Sequence, residues 1–147
     1  MASPRDVDAR LHHVGAFVDD FEATVTFHRD TFGAELLSTE TLDGVLRIAF
    51  MRLPTHEVHM LSRKGRDSLE DAILDELEPY RYHVAYEVPD VRKVIKAVEA
   101  AGIEMLQTEP ARADLRPWER AFSDPEATLG PLFELLERVG EKPPAFP

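Results

Sequence analysis

The sequence predicts an α+β fold in which one β-α-β-β-β module is used twice. Three observations lead there: an internal repeat, a strand-helix-strand pattern in each copy, and two further apolar runs after each copy. At 147 residues the chain has room for one domain of ordinary size and not for two independent cores. We therefore expect a single domain over residues 11–138, with a first module at 11–62 and a second at 81–138.

The repeat relates the segment LHHVGAFVDDFEATVTFHRDTFGAELLSTE, residues 11–40, to YHVAYEVPDVRKVIKAVEAAGIEMLQTE, residues 82–109. His13 matches His83 at a spacing of 70 residues, and Gly33 matches Gly102 at a spacing of 69. A repeat of this kind is the sequence signature of a duplicated structural unit. The two halves are therefore predicted to share one topology.

In the first copy, apolar residues alternate along residues 11–18, which is the two-residue period of a strand. Asp19 or Asp20 can cap the helix that follows, and Gly33 supplies a left-handed stop. The predicted buried stripe of this helix is Phe21, Val25, His28 and Phe32.

The second copy repeats this logic, with Asp90 as the helix cap and Gly102 as the stop. Its predicted buried stripe is Val91, Ile95 and Val98. After each copy come two apolar runs, at 45–52 and 57–61 in the first half and at 118–123 and 132–137 in the second. These runs complete the β-α-β-β-β pattern twice.

Three segments lie outside the modules. Residues 1–10 carry charges with no apolar run behind them, so we expect a flexible N-terminus and no secretory signal. Residues 67–77, within a linker at 63–80, predict an inserted amphipathic helix that either covers a sheet edge or forms a dimer contact. Residues 139–147 form a Pro-rich tail that we expect to fray.

Composition restricts the function classes. Lys plus Arg is 17 and Asp plus Glu is 28, so the formal net charge is −11, which disfavours nucleic acid and anionic membranes as partners. There are no cysteines, so any metal must be held by His, Asp or Glu, and a reducing compartment such as the cytoplasm is favoured. We expect a small-molecule substrate.

Two pairs of repeat-equivalent positions carry metal-ligating residue types. His13 and His83 share one place in the first strand of each module, and His59 matches Glu134 in the last strand at a spacing of 75 residues. Equivalent positions in two related modules come near a pseudo-twofold axis, where four such groups can hold one ion. Neutral imidazoles and one carboxylate suit zinc, iron, cobalt, nickel or manganese. The repeat therefore predicts a divalent metal held by these four residues.

A single histidine in a strand is more often an ordinary polar or core residue, so the prediction depends on the four positions being in register. The other three histidines have no metal-ligating match in the repeat. We interpret them as surface or packing residues: His12, His28 and His56.

Four sequence pieces resemble the vicinal oxygen chelate superfamily: HVG in the first strand, DTFGA ending the first helix, HVAYEV opening the second half, and FELLE near the end. That superfamily includes glyoxalase I, methylmalonyl-CoA epimerase, extradiol dioxygenases and bleomycin-resistance proteins, and the resemblance is closest to the epimerase-like members. It implies paired modules forming an incomplete barrel around a metal site, with ligands at His13, His59, His83 and Glu134. It also implies a homodimer.

One departure from the epimerase pattern concerns the proton-transfer base. The resemblance places an acidic residue three positions after the glycine of the second strand, and that position is Arg47 here. An arginine cannot accept a proton near neutral pH. The glycine-rich approach to the penultimate strand is also replaced, by ARADLRPWERAF.

Aligning RIAF with ERAF makes Arg47 and Glu119 equivalent positions of the two modules. This alignment predicts Glu119 as a substitute base. On this hypothesis Glu119 abstracts a proton, Arg47 and the metal stabilise an enolate oxygen, and Glu134 belongs to the catalytic set. The alternative is an ion pair between Arg47 and Glu119 that only ties the modules together. The predicted substrate pocket is lined by Arg47, Ala49, Ala121 and Trp118, with Tyr86 and Glu87 shaping it or only packing.

The sequence thus favours a metal-dependent isomerase or epimerase that enolises a small oxygen-chelating substrate. Two other enzymatic readings use the same scaffold: a non-haem iron extradiol-type dioxygenase, which His59 disfavours as a fourth ligand, and a glyoxalase I-like lyase, which the lack of a clear basic cluster disfavours. A third reading, from another class, is a metal-free ligand-binding protein of the bleomycin-resistance type. Elemental analysis separates this last reading from the enzymes.

Overall fold

The structure is a computed structural model, and it describes residues 8–42, 46–63, 82–112, 116–124, 126 and 132–139. The chain divides into two compact units, one of His13–Tyr82 and one of Met1–His12 with His83–Pro147. We call them module one and module two. The predicted helix at 67–77, most of the N-terminal segment and most of the Pro-rich tail lie outside the described residues.

Module one follows the predicted order of elements. They are β1 (Arg10–Phe17), whose first three residues fall in the other unit, α1 (Phe21–Phe32), β2 (Glu35–Leu42), β3 (Leu46–Arg52) and β4 (Glu57–Arg63). Its strands are ordered β2-β3-β4-β1, with β1 parallel to β4 and the other pairs antiparallel. The first and last strands of the module are therefore neighbours, although some 40 residues of chain separate them.

Module two repeats this order with a weaker second strand. Its elements are β5 (Tyr82–Glu87), α2 (Val91–Ala100), β6 (Ala111–Arg112), β7 (Trp118–Phe122) and β8 (Phe133–Arg138). The strand order is β5-β8-β7-β6, and β5 runs parallel to β8 as β1 does to β4. The α+β class and the paired β-α-β-β-β modules are confirmed.

The second strand of module two is where the repeat weakens. A strand was expected after Gly102, equivalent to β2, but in the described residues this stretch contributes one isolated bridge, from Met105 to Ser123. Pairing resumes only in the two-residue β6. Pro110 directly precedes β6, and proline has no N–H to donate to a ladder.

The ends of α1 match the capping signals in the sequence. Asp20 rather than Asp19 is the N-cap, because its Oδ1 accepts a hydrogen bond from the Ala23 N–H at 3.0 Å. Gly33 ends the helix at φ 70°, and its N–H donates to the Arg29 carbonyl at 3.1 Å.

Helix α2 is capped by two carboxylates. Asp90 accepts from the Lys93 N–H at 3.1 Å, as predicted, and Glu137 of β8 accepts from the Val91 N–H at 2.8 Å. The C-cap is Ala101, and Gly102 follows at φ 91°. The Glu137 contact joins the start of the helix to the last strand of its own module.

Each helix packs on one face of its sheet and forms an apolar core there. Module one buries Ala16, Phe21, Val25, Ala34, Ala49, Met51 and Met60, and module two buries Val88, Val91, Val94, Ile95, Met105, Ala121 and Leu135. The predicted stripe of α1 is wrong at its end, because Phe32 is 58% exposed. Among the described residues, no helix is long and apolar enough to cross a membrane.

Candidate functional site: two equivalent half-sites

In module one, the sheet face opposite α1 carries a cluster of three ionisable side chains, His13, Glu57 and His59. The parallel register of β1 and β4 pairs His13 with Glu57 and Gly15 with His59. Because side chains alternate along a strand, these residues share one face, while Ala16 and Met60 point to the helix side. The face without the helix is therefore where module one concentrates its polar chemistry.

The three ionisable groups of this half-site are in contact and buried. The rings of His13 and His59 stack at 3.8 Å between centroids, with an interplanar angle of 20°. His59 Nε2 lies 2.8 Å from Glu57 Oε1, and the Phe50 ring meets His59 edge-on at 4.7 Å. His13, His59 and Glu57 are 2%, 5% and 7% exposed. Burying such groups is unfavourable unless they are paired or bind a metal.

Module two places its half-site on the corresponding face. His83 Nε2 lies 3.4 Å from Glu134 Oε1, and Arg120 Nε lies 3.9 Å from Glu134 Oε2. The Phe122 ring meets His83 edge-on at 5.5 Å. His83 and Glu134 are both buried. The carboxylate is thus set between an imidazole and a guanidinium.

The strand register makes the two half-sites equivalent. In module one, His13 lies two residues before Gly15, the β-partner of His59; in module two, His83 lies two residues before Ala85, the β-partner of Glu134. The antiparallel neighbours also correspond, since Phe50 pairs with His59 and Phe122 pairs with Glu134. The alignment of the four positions from the repeat therefore agrees with the backbone pairing inside each module.

The chemistry of these side chains fits a divalent metal. Three imidazoles and a carboxylate are nitrogen and oxygen donors of the kind that bind zinc and the first-row transition metals. The buried His83 and Glu134 pair shows that one imidazole nitrogen and one carboxylate oxygen already approach each other within module two. In both modules the donor atoms come from neighbouring strands, which hold side chains more rigidly than loops do.

Arg47 and Ala49, which were predicted to line the substrate pocket, lie on the helix side of the sheet and not on the face of His59. Phe50, not Ala49, pairs with His59, so Ala49 points to the helix side and is fully buried in the α1 core. The Arg47 guanidinium lies 4.1 Å from the centre of the Phe21 ring and 3.7 Å from Glu22 Oε1. Arg47 therefore packs against α1.

The same correction applies to Glu119 and Ala121 in module two. Ala121 belongs to the α2 core, and Glu119, two residues before it, shares that face. Arg92 of α2 donates two hydrogen bonds to the Glu119 carboxylate, at 3.1 and 3.2 Å. These hydrogen bonds lower the pKa of Glu119, and the carboxylate raises the pKa of Arg92. Glu119 is thus a weaker base than an ordinary glutamate and faces away from Glu134.

The remaining pocket candidates divide between the two faces. Trp118 is on the same face as Glu134, is buried, and contacts the His12 ring at 4.8 Å between centroids. Glu87 also lies on this face, 3.7 Å from Arg138. Tyr86 packs against the α2 core. Of the four predicted pocket residues, only Trp118 lies on the same face as a predicted ligand, and its strand partner is Arg138.

Two site residues were missed from the sequence, Glu57 and Arg120. Strand alternation in EVH already places Glu57 on the face of His59, so that signal was available. Arg120 shares the face of Phe122. The other face of ERAF, with Glu119 and Ala121, was assigned to the pocket, so Arg120 was not considered. At the equivalent positions the other module has aliphatic residues, Leu132 for Glu57 and Ile48 for Arg120. The repeat therefore did not indicate a shared polar site there.

The comparisons with known proteins agree with this architecture. A family model described as the Glyoxalase/Bleomycin resistance protein/Dioxygenase superfamily matches residues 10–126. An ethylmalonyl-CoA/methylmalonyl-CoA epimerase from Cereibacter sphaeroides is 27% identical over 128 residues, which are 86% of this chain and 96% of that protein.

Two solved structures show similarity over most of the chain. Methylmalonyl-CoA epimerase from Mycobacterium tuberculosis superposes with a TM-score of 0.73 at 21% identity, covering 95% of this chain and 94% of its own, which is a likeness of fold. A variant of the Streptomyces coelicolor methylmalonyl-CoA epimerase in complex with 2-nitronate-propionyl-CoA gives a TM-score of 0.71 at 25% identity, covering 92% and 98%.

Proposed function

Because the chain belongs to the Glyoxalase/Bleomycin resistance protein/Dioxygenase superfamily, we propose that it is a divalent-metal-dependent epimerase or isomerase. Its reaction is an enolising proton transfer on a small substrate that chelates the metal through oxygen atoms. The epimerase relatives support an epimerase-like function. The observation that carries the metal-dependent part is the shared strand register of two buried half-sites.

The proposed metal ligands are His13 and His59 from module one and His83 and Glu134 from module two. Each module alone supplies two of the proposed ligands, which is too few for a closed zinc-like site with four ligands. Pooling the half-sites completes such a set and accounts for the burial of all four side chains. Cobalt, nickel, zinc, manganese and iron all accept these ligands.

When bound, the metal would act as a Lewis acid that makes the carbon beside a substrate carbonyl easier to deprotonate. Glu134 is the predicted catalytic residue that lies on the site face, with its Oε2 3.9 Å from Arg120 Nε. Phe50 and Phe122 pack edge-on against His59 and His83 and would limit the access of water to these ligands. A dry surrounding strengthens electrostatic interactions with the substrate.

For the substrate, we propose an acyl-CoA thioester with an acidic α-carbon. The Cereibacter sphaeroides relative is named for ethylmalonyl-CoA and methylmalonyl-CoA, which belong to this class. Isotope exchange in deuterated water tests the proposal directly. With metal-loaded protein and methylmalonyl-CoA, deuterium enters at the α-carbon and the two epimers interconvert, as followed by NMR and mass spectrometry.

A ligand variant and a matched histidine variant control this experiment. His59→Ala loses metal affinity by more than the roughly 10- to 100-fold expected for an outer-shell change, and loses exchange with it. His28→Ala removes a histidine of α1 that contacts the Thr24 carbonyl and leaves both properties intact. If the wild-type protein binds metal stoichiometrically but exchanges no acyl-CoA substrate, the epimerase function is wrong.

A cytoplasmic homodimer belongs to the same proposal. The absence of cysteine favours a reducing compartment. On α1, Phe27 and Phe32 are 51% and 58% exposed, with ring centroids 5.4 Å apart. Exposed aromatic pairs of this kind are common at protein contacts, which supports an assembly of two chains.

A further inference from the structure

A buried carboxylate beside His59 has no role in the ligand set proposed above. Glu57 is 7% exposed and lies two residues before His59 in β4, on the same face of the sheet. In the parallel register it is the partner of His13. Glu57 therefore adjoins both histidines of the half-site in module one.

The repeat separates Glu57 from the metal ligands. His59 corresponds to Glu134, so the position two residues earlier corresponds to Leu132, a buried aliphatic residue. Module two thus forms its half-site with no acidic side chain at this position. Because module one alone has a carboxylate at this position, we look for its role at the histidine beside it, His59.

The hydrogen bond indicates that role. His59 Nε2 lies 2.8 Å from Glu57 Oε1, a short distance for a nitrogen donor and a carboxylate oxygen. An ionised carboxylate can only accept, so the imidazole carries its hydrogen on Nε2. A neutral imidazole that donates from Nε2 has a single lone pair, on Nδ1. Histidines that bind metals commonly donate their other ring N–H to a carboxylate in this way, which fixes the tautomer and the ring orientation.

The stacking of His13 on His59 adds a second constraint. With centroids 3.8 Å apart and planes 20° apart, the His59 ring is held between the His13 ring and the edge-on Phe50 ring. The hydrogen bond to Glu57 then removes the remaining freedom, which is a flip of the ring about its own axis. His83 differs, because its Nε2 contacts Glu134, a proposed ligand.

We infer that Glu57 is a positioning residue that fixes the Nε2–H tautomer of His59, so that His59 binds the metal through Nδ1. This inference rests on the proposed metal-dependent function. Glu57 itself is not a ligand. Its removal weakens metal binding without abolishing it, since the four donors remain. The expected loss is about 10- to 100-fold in affinity, the range found for outer-shell partners of metal-binding histidines.

The first measurement compares Co²⁺ affinity by competition titration. Glu57→Leu introduces the residue that module two has at the equivalent position, and we expect one Co²⁺ per chain with affinity lowered by about 10- to 100-fold. Glu57→Gln keeps an oxygen that accepts from Nε2–H and recovers part of the loss. Should Glu57→Leu fail to fold, Glu57→Gln alone decides the test. We expect Glu57→Gln to lose less Co²⁺ affinity than His59→Ala. His59→Ala marks the effect of losing a true ligand.

The second measurement reads the tautomer in the metal-free protein by long-range ¹H–¹⁵N NMR of labelled histidine. We expect His59 to be protonated on Nε2 in the wild type and to lose this preference in Glu57→Leu. Unchanged Co²⁺ affinity in Glu57→Leu, a loss as complete as in His59→Ala, or protonation on Nδ1 in the wild type each overturn the inference while the proposed function stands. Wild-type protein that binds no Co²⁺ overturns the proposed metal dependence, and the inference with it.

Discussion

At the scale of single residues, the faces of the strands decide which side chains can act together. In each module one face is covered by a helix and holds an apolar core, while the other holds the buried ionisable groups. A shift of one position along a strand moves a side chain from one environment to the other. Arg47 and Glu119 are on the helix side for this reason, and Glu57 and Arg120 are on the side of the histidines.

Glu119→Gln tests this assignment of faces. We expect the variant to keep proton-exchange activity, because the Glu119 carboxylate pairs with Arg92 on the α2 side. Removing a true general base lowers the rate by about 10²- to 10⁴-fold. The measurement is isotope exchange with metal-loaded protein, and a loss in that range would return Glu119 to the catalytic set.

The same variant has a predictable pH signature in unfolding experiments. The pKa of Glu119 is lowered in the folded protein, so its ion pair stabilises the fold above the ordinary carboxyl pKa of 4.5. That contribution is lost as the pH falls through the lowered folded-state value. The wild type is therefore expected to exceed Glu119→Gln in stability near neutral pH, with the difference vanishing in acid. A difference that grows on acidification would contradict the Arg92 pairing.

At the scale of elements, the helices begin where local chemistry satisfies their first free N–H groups. Asp20 and Asp90 each accept a hydrogen bond from the residue three positions later. This signal is local in sequence, which is why both N-termini were predicted correctly. Glu137 adds a contact from β8 to the start of α2 that no local pattern indicates.

Asp20→Ala measures the N-cap of α1. We expect a loss of about 1 kcal/mol in the free energy of unfolding, because the Ala23 N–H loses its acceptor. Chemical denaturation followed by circular dichroism gives this value. Asp20→Asn is the matched control and retains most of the stability, since asparagine is an equally good N-cap. Equal losses in the two variants would show that charge, not capping, is responsible.

At the scale of the whole molecule, the proposed metal joins residues from both modules in one bound state. A ligand that binds the folded state alone stabilises it, by about 2.7 kcal/mol when the free concentration is 100 times Kd. For a chain of this size that is a rise of about 5–10 °C in the unfolding midpoint. Calorimetry of Co²⁺-loaded and chelator-treated protein measures the difference.

The ligand variants make that thermal experiment specific. In His83→Ala the metal-induced rise shrinks or disappears, whereas in His28→Ala it remains. A rise of equal size in both variants would place the stabilising ion elsewhere on this acidic protein. The metal-free midpoints serve as the baseline, so a change in the fold itself is read separately.

Local and periodic features were determined by the sequence alone. The repeat, the β-α-β-β-β order, the caps at Asp20 and Asp90 and the equivalence of His59 with Glu134 all follow from residues close together or from two similar segments placed side by side. The superfamily was recognisable from the same motifs.

Only the tertiary structure decided which face of each strand lies under a helix and which face carries the buried ionisable side chains. In LRIAFMR both faces are apolar, so alternation defines two sets of side chains without saying which set lies under α1. That choice is made by pairing between strands distant in the chain, which sets Phe50 beside His59 and Phe122 beside Glu134. The contacts of Glu57 with His59 and of Arg120 with Glu134 depend on this long-range register, because a strand's sequence specifies its period but not its partner.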